Sequence, residues 1–109
     1  MLSNRDIFAE HLSHMVKFPT VSHVDENQMD FEPFYQFHEY LEKTYPLVHK
    51  TFEKQVIGRA ALLYRWRAKE SGERLPVLLA AHQDVVPEGD YGRWKYPPYQ
   101  GVIADHRVY

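Results

Sequence analysis

The chain has 109 residues, a net charge of −2 and no cysteine. That length suits one small domain, and the absence of a basic patch argues against nucleic acid as a partner. The missing cysteines exclude disulfides and thiolate metal sites, and they fit a reducing compartment. No apolar run approaches the roughly 18 residues that a membrane helix needs. Charged residues near the start leave no visible export signal, so we expect a cytoplasmic protein without a membrane contact.

Two amphipathic helices are predicted in the first half of the chain. The first covers about 4–17, with Ser3 and Asp6 forming a capping box and Pro19 ending it. The second covers about 30–43, with Asp30 as N-cap and Pro33 in its first turn. Apolar side chains at helical spacing predict one buried stripe on each helix: Phe8, Leu12, Met15 and Val16 on the first, and Phe34, Phe37 or His38, Leu41 and Tyr45 on the second.

Short strands and loops are predicted for much of the remainder. Alternating apolar residues indicate strands at 47–56 and 60–67, joined into a hairpin at Gly58-Arg59. A polar loop is expected at 68–74, and a loop rich in Pro and Gly at 88–101. Two further short strands, 102–104 and 107–109, flank a turn at Asp105-His106.

The stretch from Val77 to Pro87 carries the strongest chemical signal. Its apolar first half predicts a strand buried on both faces, and ligands of open α/β sheets bind just beyond such strand ends. His82 and Asp84 lie at that end, and in extended backbone they point to the same side. A neutral imidazole can bind a metal through one nitrogen while its other N–H donates to a carboxylate. The pattern therefore favours His82 as a metal ligand oriented by Asp84, although an isolated His-x-Asp is also typical of a plain polar pair.

The residues around this pair give it a wider context. The run Leu78 to Pro87 is followed by Trp94-Lys95-Tyr96-Pro97-Pro98-Tyr99-Gln100-Gly101. The combination resembles the M20 family of zinc metallopeptidases. In that family an apolar strand enters H-x-D-V-V-P and a W-x-x-P-P-F-x-G loop follows, here with Tyr99 in the place of Phe. The branch of Gly-Xaa carboxypeptidases and N-acyl-amino-acid hydrolases is the most similar.

The resemblance implies an α/β fold. Residues 1–109 would form the N-terminal portion of an α/β/α catalytic domain, with two helices, a β-hairpin and a buried central strand in a mixed sheet. It also implies a zinc-dependent hydrolase that cleaves a peptide or N-acyl-amino-acid amide bond. His82 would hold a metal, and Asp84 would be the catalytic carboxylate that fixes the imidazole tautomer. The intact enzyme would use two zinc ions, or other divalent metals, and would form a homodimer.

The other ligands, the general base and the dimerisation domain of that family match no residues here. We therefore expect this chain alone to be inactive and to self-associate through its uncovered sheet edge. Two alternatives stay open. One is a non-catalytic interaction module that retains this part of the fold. The other is a stand-alone metal-binding domain that uses His82 with some of the other histidines, although these show no ligand spacing.

Overall fold

Helices fill the first half of the chain and two small hairpins follow. The structure is a computed structural model that describes residues 1–70 and 72–109; Ser71, within the loop predicted at 68–74, lies outside the described residues. The helices are α1 (Asn4–Met15), α2 (Glu32–Thr44) and α3 (Pro46–Thr51), and the strands are β1 (Glu53–Ile57), β2 (Ala61–Arg65), β3 (Ile103–Ala104) and β4 (Arg107–Val108). None of these helices is long and apolar enough to cross a bilayer.

The start of α1 confirms the predicted capping box. The Ser3 hydroxyl accepts from the Asp6 amide at 3.2 Å, and the Asp6 carboxylate accepts from the Ser3 amide at 3.1 Å. The predicted stripe is less buried than expected, because Phe8 stays 69% exposed and Leu12 48% exposed. Instead α1 packs against β3 and β4 through the side that carries the buried Ser13.

The core lies beneath α2. Phe31, Phe34 and Ala60 are buried together, with Met29 packed against them. Phe34 and His38, one helical turn apart, form the most buried part of α2, which confirms its predicted stripe. The helix begins at Glu32, and its N-cap is Phe31 rather than the predicted Asp30. Asp30 precedes the cap and accepts from the Glu32 amide at 3.0 Å.

The strand predicted from residue 47 is wrong over its first half. Residues Pro46–Thr51 form α3, and the strand begins only at Glu53. Proline ends a helix that precedes it, but its fixed φ and missing N–H also suit the first position of a new helix. From Glu53 onward the hairpin is confirmed, with β1 and β2 antiparallel and Gly58 in the turn at φ +61°.

The buried central strand is also wrong for the described residues. The side chains of Val77, Leu78 and Leu79 are 80–89% exposed, and their backbone pairs with no strand among the residues that the structure describes. The two hairpins form separate two-stranded sheets rather than one mixed sheet. An apolar run indicates that a segment can be buried, but a buried strand requires neighbouring strands on both sides. None of the described strands lies beside this segment.

Candidate functional site

The site segment pairs with the chain that follows α1. The Val85 amide donates to Thr20 O and the Ser22 amide donates to Val85 O, both at 2.9 Å. These two bonds make a short parallel bridge between Val21 and Val85. Residues 83–85 therefore run beside residues 20–22, and the bridge brings His82 and Asp84 to the end of α1.

The His82 ring is held in one tautomer. Its Nδ1 lies 2.9 Å from the backbone oxygen of Asp84. Because a carbonyl oxygen can only accept, Nδ1 must carry the proton and donate it. The neutral ring then has its lone pair on Nε2, and the side chain is 85% exposed. The arrangement leaves Nε2 available to bind a ligand.

The Asp84 carboxylate lies beside the ring rather than forming its closest contact. Its Oδ1 is 3.4 Å from His82 Nδ1, whereas its Oδ2 accepts from the Ser22 hydroxyl at 2.6 Å. The hydrogen bond from Ser22 is the main reason that the pKa of Asp84 lies below its usual value, with the His82 charge contributing less. Asp84 is therefore an anion that can support positive charge on His82.

Two contributors to this site were missed by sequence reasoning. Ser22 holds the Asp84 carboxylate from 62 residues away in sequence. Gln83 directs its side chain towards His38 of α2 and the backbone of Ala60, away from the exposed His82 ring. Extended alternation could have shown that Gln83 points away from His82 and Asp84, but nothing local identifies its partners.

A largely apolar groove of about 780 Å³ borders the site. One wall comes from α1, with Leu12 and Met15, and another from the loop that carries Trp94 and Tyr99. His82 and Asp84 also line it. The groove could therefore receive an apolar group beside the exposed imidazole.

The loop wall is organised by Glu88. Its carboxylate accepts from Tyr91 at 3.0 Å and Tyr99 at 3.1 Å, and its backbone oxygen accepts from Trp94 Nε1 at 3.0 Å. Burial, followed by the bond to Glu88, raises the pKa of Tyr99 to about 12. Trp94 and Tyr99 are thus both hydrogen-bonded to Glu88.

Two other acids, Asp90 and Asp105, also have structural partners. Asp90 caps the turn Tyr91–Arg93 by accepting from the Gly92 amide at 2.9 Å. Asp105 pairs with Lys95 at 2.6 Å. Within the part of the chain that the structure describes, neither carboxylate takes part in a cluster of metal-binding side chains.

The histidines and carboxylates of the described residues do not gather into a larger metal-binding cluster. No group of three His, Asp or Glu side chains in residues 1–70 and 72–109 could hold a metal ion. Several histidines have structural partners instead: His11 contacts Tyr45, His14 contacts Glu10 O, and His49 contacts Tyr64. This finding is against a metal-binding domain that is complete within these residues. His82 and Asp84 fit one ligand and its orienting partner, whereas a hydrolytic zinc site has about three protein ligands.

Comparison with known proteins gives a consistent set of relatives. The chain is 36% identical over 103 residues to probable carboxypeptidase S-like 2 of Dictyostelium discoideum, which covers 93% of the chain and 20% of that protein. It is 38% identical over 104 residues to carboxypeptidase S of Saccharomyces cerevisiae, covering 89% and 18%. It is 32% identical over 102 residues to the N-fatty-acyl-amino acid synthase/hydrolase PM20D1 of Bos taurus, covering 92% and 20%.

These matches have a defined extent. The chain spans about a fifth of the length of the curated relatives that it matches. No family model matches the chain. No solved structure matches it either.

Proposed function

Because the chain belongs to the M20 family of peptidases, we propose that the protein containing it is a zinc-dependent hydrolase of amide bonds. Its substrate would be a peptide or an N-acyl-amino acid. The printed names of the relatives, carboxypeptidase and N-fatty-acyl-amino acid hydrolase, support this reaction class. The proposal concerns the whole protein, and we expect the 109 residues alone to be inactive.

The geometry of His82 carries the proposal. A proton held on Nδ1 by the Asp84 carbonyl leaves Nε2 exposed with its lone pair free, which is what a metal-binding imidazole requires. The ionised Asp84, fixed by Ser22, would keep the ring in place and stabilise its positive character. Zinc would supply Lewis acidity to the scissile carbonyl. The remaining ligands and the base that accepts a proton from water would come from elsewhere in the protein.

The groove beside His82 suggests the kind of substrate. Its walls are mostly apolar, with Leu12, Met15 and Trp94 among them, so an apolar side chain or acyl group would be removed from water there. Turnover of an N-blocked dipeptide should be compared with turnover of an N-fatty-acyl-amino acid. Within each substrate class, we expect substrates with an apolar group to be turned over faster than substrates with a charged group. Equal turnover of the apolar and the charged substrate would contradict this role for the groove.

Substitution of His82 in the full protein tests the proposal. His82→Ala should lose bound zinc and turnover together, and Asp84→Asn should reduce both by about 10–100-fold while leaving the fold intact. His23→Ala is the matched control, because His23 is exposed and lies in a loop. Full zinc content and full zinc-dependent turnover in His82→Ala would refute the ligand assignment.

One observation favours a second candidate, a non-catalytic interaction module. Leu75 and the run Val77–Leu79 expose an apolar surface of the kind found at contacts with other protein. A full protein that binds zinc poorly and hydrolyses neither substrate class would favour the module. The cytoplasmic location and the homodimer expected from the sequence stay predictions.

A further inference from the structure

We propose that Gln83 is a positioning residue that sets the orientation of His82 and Asp84. This inference rests on the proposed function, in which His82 binds the metal. Gln83 is bonded at both ends of its side-chain amide: Nε2 donates to Ala60 O at 2.6 Å, and Oε1 lies 2.7 Å from His38 Nε2. Its backbone oxygen also accepts from the Thr20 hydroxyl at 2.7 Å.

The directions of these bonds are fixed by their partners. Ala60 O can only accept, so the amide nitrogen of Gln83 must face it. The amide oxygen therefore faces His38, and His38 Nε2 must carry the proton that it donates. A flipped Gln83 amide would place its nitrogen against that N–H and its oxygen against a carbonyl, so a single orientation satisfies both partners.

The two partners belong to the best-buried part of the protein. His38 is buried one turn after Phe34 on α2, and Ala60 is buried in the same core as Phe31 and Phe34. Gln83 thus connects the site segment to the core. A matching link is absent at His82, whose polar contacts in the described residues are to Asp84, two positions away. Contacts within one segment move with it and cannot fix it against the body.

The bridge to residues 20–22 leaves a motion that Gln83 opposes. The two backbone bonds of Val85 set the direction of the segment, but they allow the peptide units before it to rotate about that direction. Alternate side chains of an extended segment point to opposite sides. Holding the Gln83 side chain against His38 and Ala60 therefore holds His82 and Asp84 on the other side, with Asp84 within reach of Ser22.

The test uses Gln83→Met in the full protein, because methionine matches the length of glutamine and lacks its hydrogen bonds. We expect about 10-fold or greater loss of zinc affinity, measured by competition with a chelator, and a fall in kcat larger than the change in KM. Gln36→Met is the matched control, since Gln36 lies exposed on the same helix as His38 and its amide donates to Glu32.

The outcomes separate this inference from the function on which it rests. If His82→Ala abolishes zinc binding and turnover while Gln83→Met keeps both, the positioning role is refuted and the proposed function stands. If His82→Ala keeps both, the proposed function itself fails. Should Gln83→Met not fold, Gln83→Glu keeps the acceptor towards His38 and loses the donor towards Ala60. It should then show smaller losses of the same kind, and values equal to the parent would overturn the inference.

Discussion

Replacing Gly101 with alanine should destabilise the protein through a contact that seats the site loop on α1. Gly101 has φ +60°, and a Cβ built there would lie 2.1 Å from the backbone oxygen of Ser13. The Ser13 hydroxyl also donates to Gly101 O in a buried hydrogen bond. The substitution therefore imposes an unfavourable backbone conformation and forces α1 and the loop apart.

The cost can be divided into two parts. An alanine in the left-handed region costs about 1–2 kcal/mol relative to glycine. Because the new methyl group on the loop would clash with the Ser13 backbone, either the loop or α1 must move. That movement breaks the buried hydrogen bond from the Ser13 hydroxyl, at a cost of about 1–3 kcal/mol. We expect a total of about 2–5 kcal/mol, a large fraction of the ~5–15 kcal/mol by which domains are stable.

Denaturant unfolding of the full protein measures the free energy, with Gly58→Ala as the matched control. Gly58 has φ +61°, but nothing lies within 4 Å of the position that an added Cβ would take, so it should show only the backbone cost. Ser13→Ala should show only the cost of the lost hydrogen bond. Equal destabilisation by Gly101→Ala and Gly58→Ala would refute the argument that close approach to Ser13 requires a glycine.

Three further outcomes are expected. The Ser3 hydroxyl holds the pKa of Asp6 below its usual value, so the cap should stabilise α1 above the unfolded carboxyl pKa and be lost as the pH falls through the lower folded pKa; a carboxyl NMR titration checks this. Tyr99, with a pKa of about 12, should contribute stability below the ordinary phenol pKa that is lost as the pH rises towards 12, and Tyr99→Phe should remove that late step from an ultraviolet titration. Residues 1–109 alone should self-associate in light scattering, because burying a Val or Leu stabilises by about 1.5–3 kcal/mol, and Leu79→Lys should weaken it; a clean parent monomer at high concentration would contradict this.

Local signals in the sequence predicted the elements that are defined locally. The capping box of α1, the stripe of α2 and the hairpin around Gly58 each depend on residues a few positions apart, and the structure confirms them. The predicted turn at Asp105-His106 is also present, with positive φ at both residues. Where one residue favours two outcomes, as Pro46 does, the sequence pattern identified a boundary but not the element that follows it.

Burial is harder to predict because it depends on which distant parts of the chain pack against a side chain. Leu79 belongs to an apolar run typical of a core strand but is 89% exposed, while the polar His38 is only 8% exposed. His38 is buried because Gln83, 45 residues away, satisfies its ring nitrogen. A single sequence contains no record of such a pairing, and that is why the groups supporting the site were not found.

Two properties of the site therefore depend on residues at different separations in the sequence. The spacing of His82 and Asp84 fixes that they share a side of the segment, and this parity follows from their separation of two positions. Which side of the protein they occupy depends on Gln83, whose side chain must reach the core for the others to face outward. A shift of the segment by one residue would exchange the two sides. The Gln83 contacts thus convert a weak His-x-Asp pattern into a site with a defined direction.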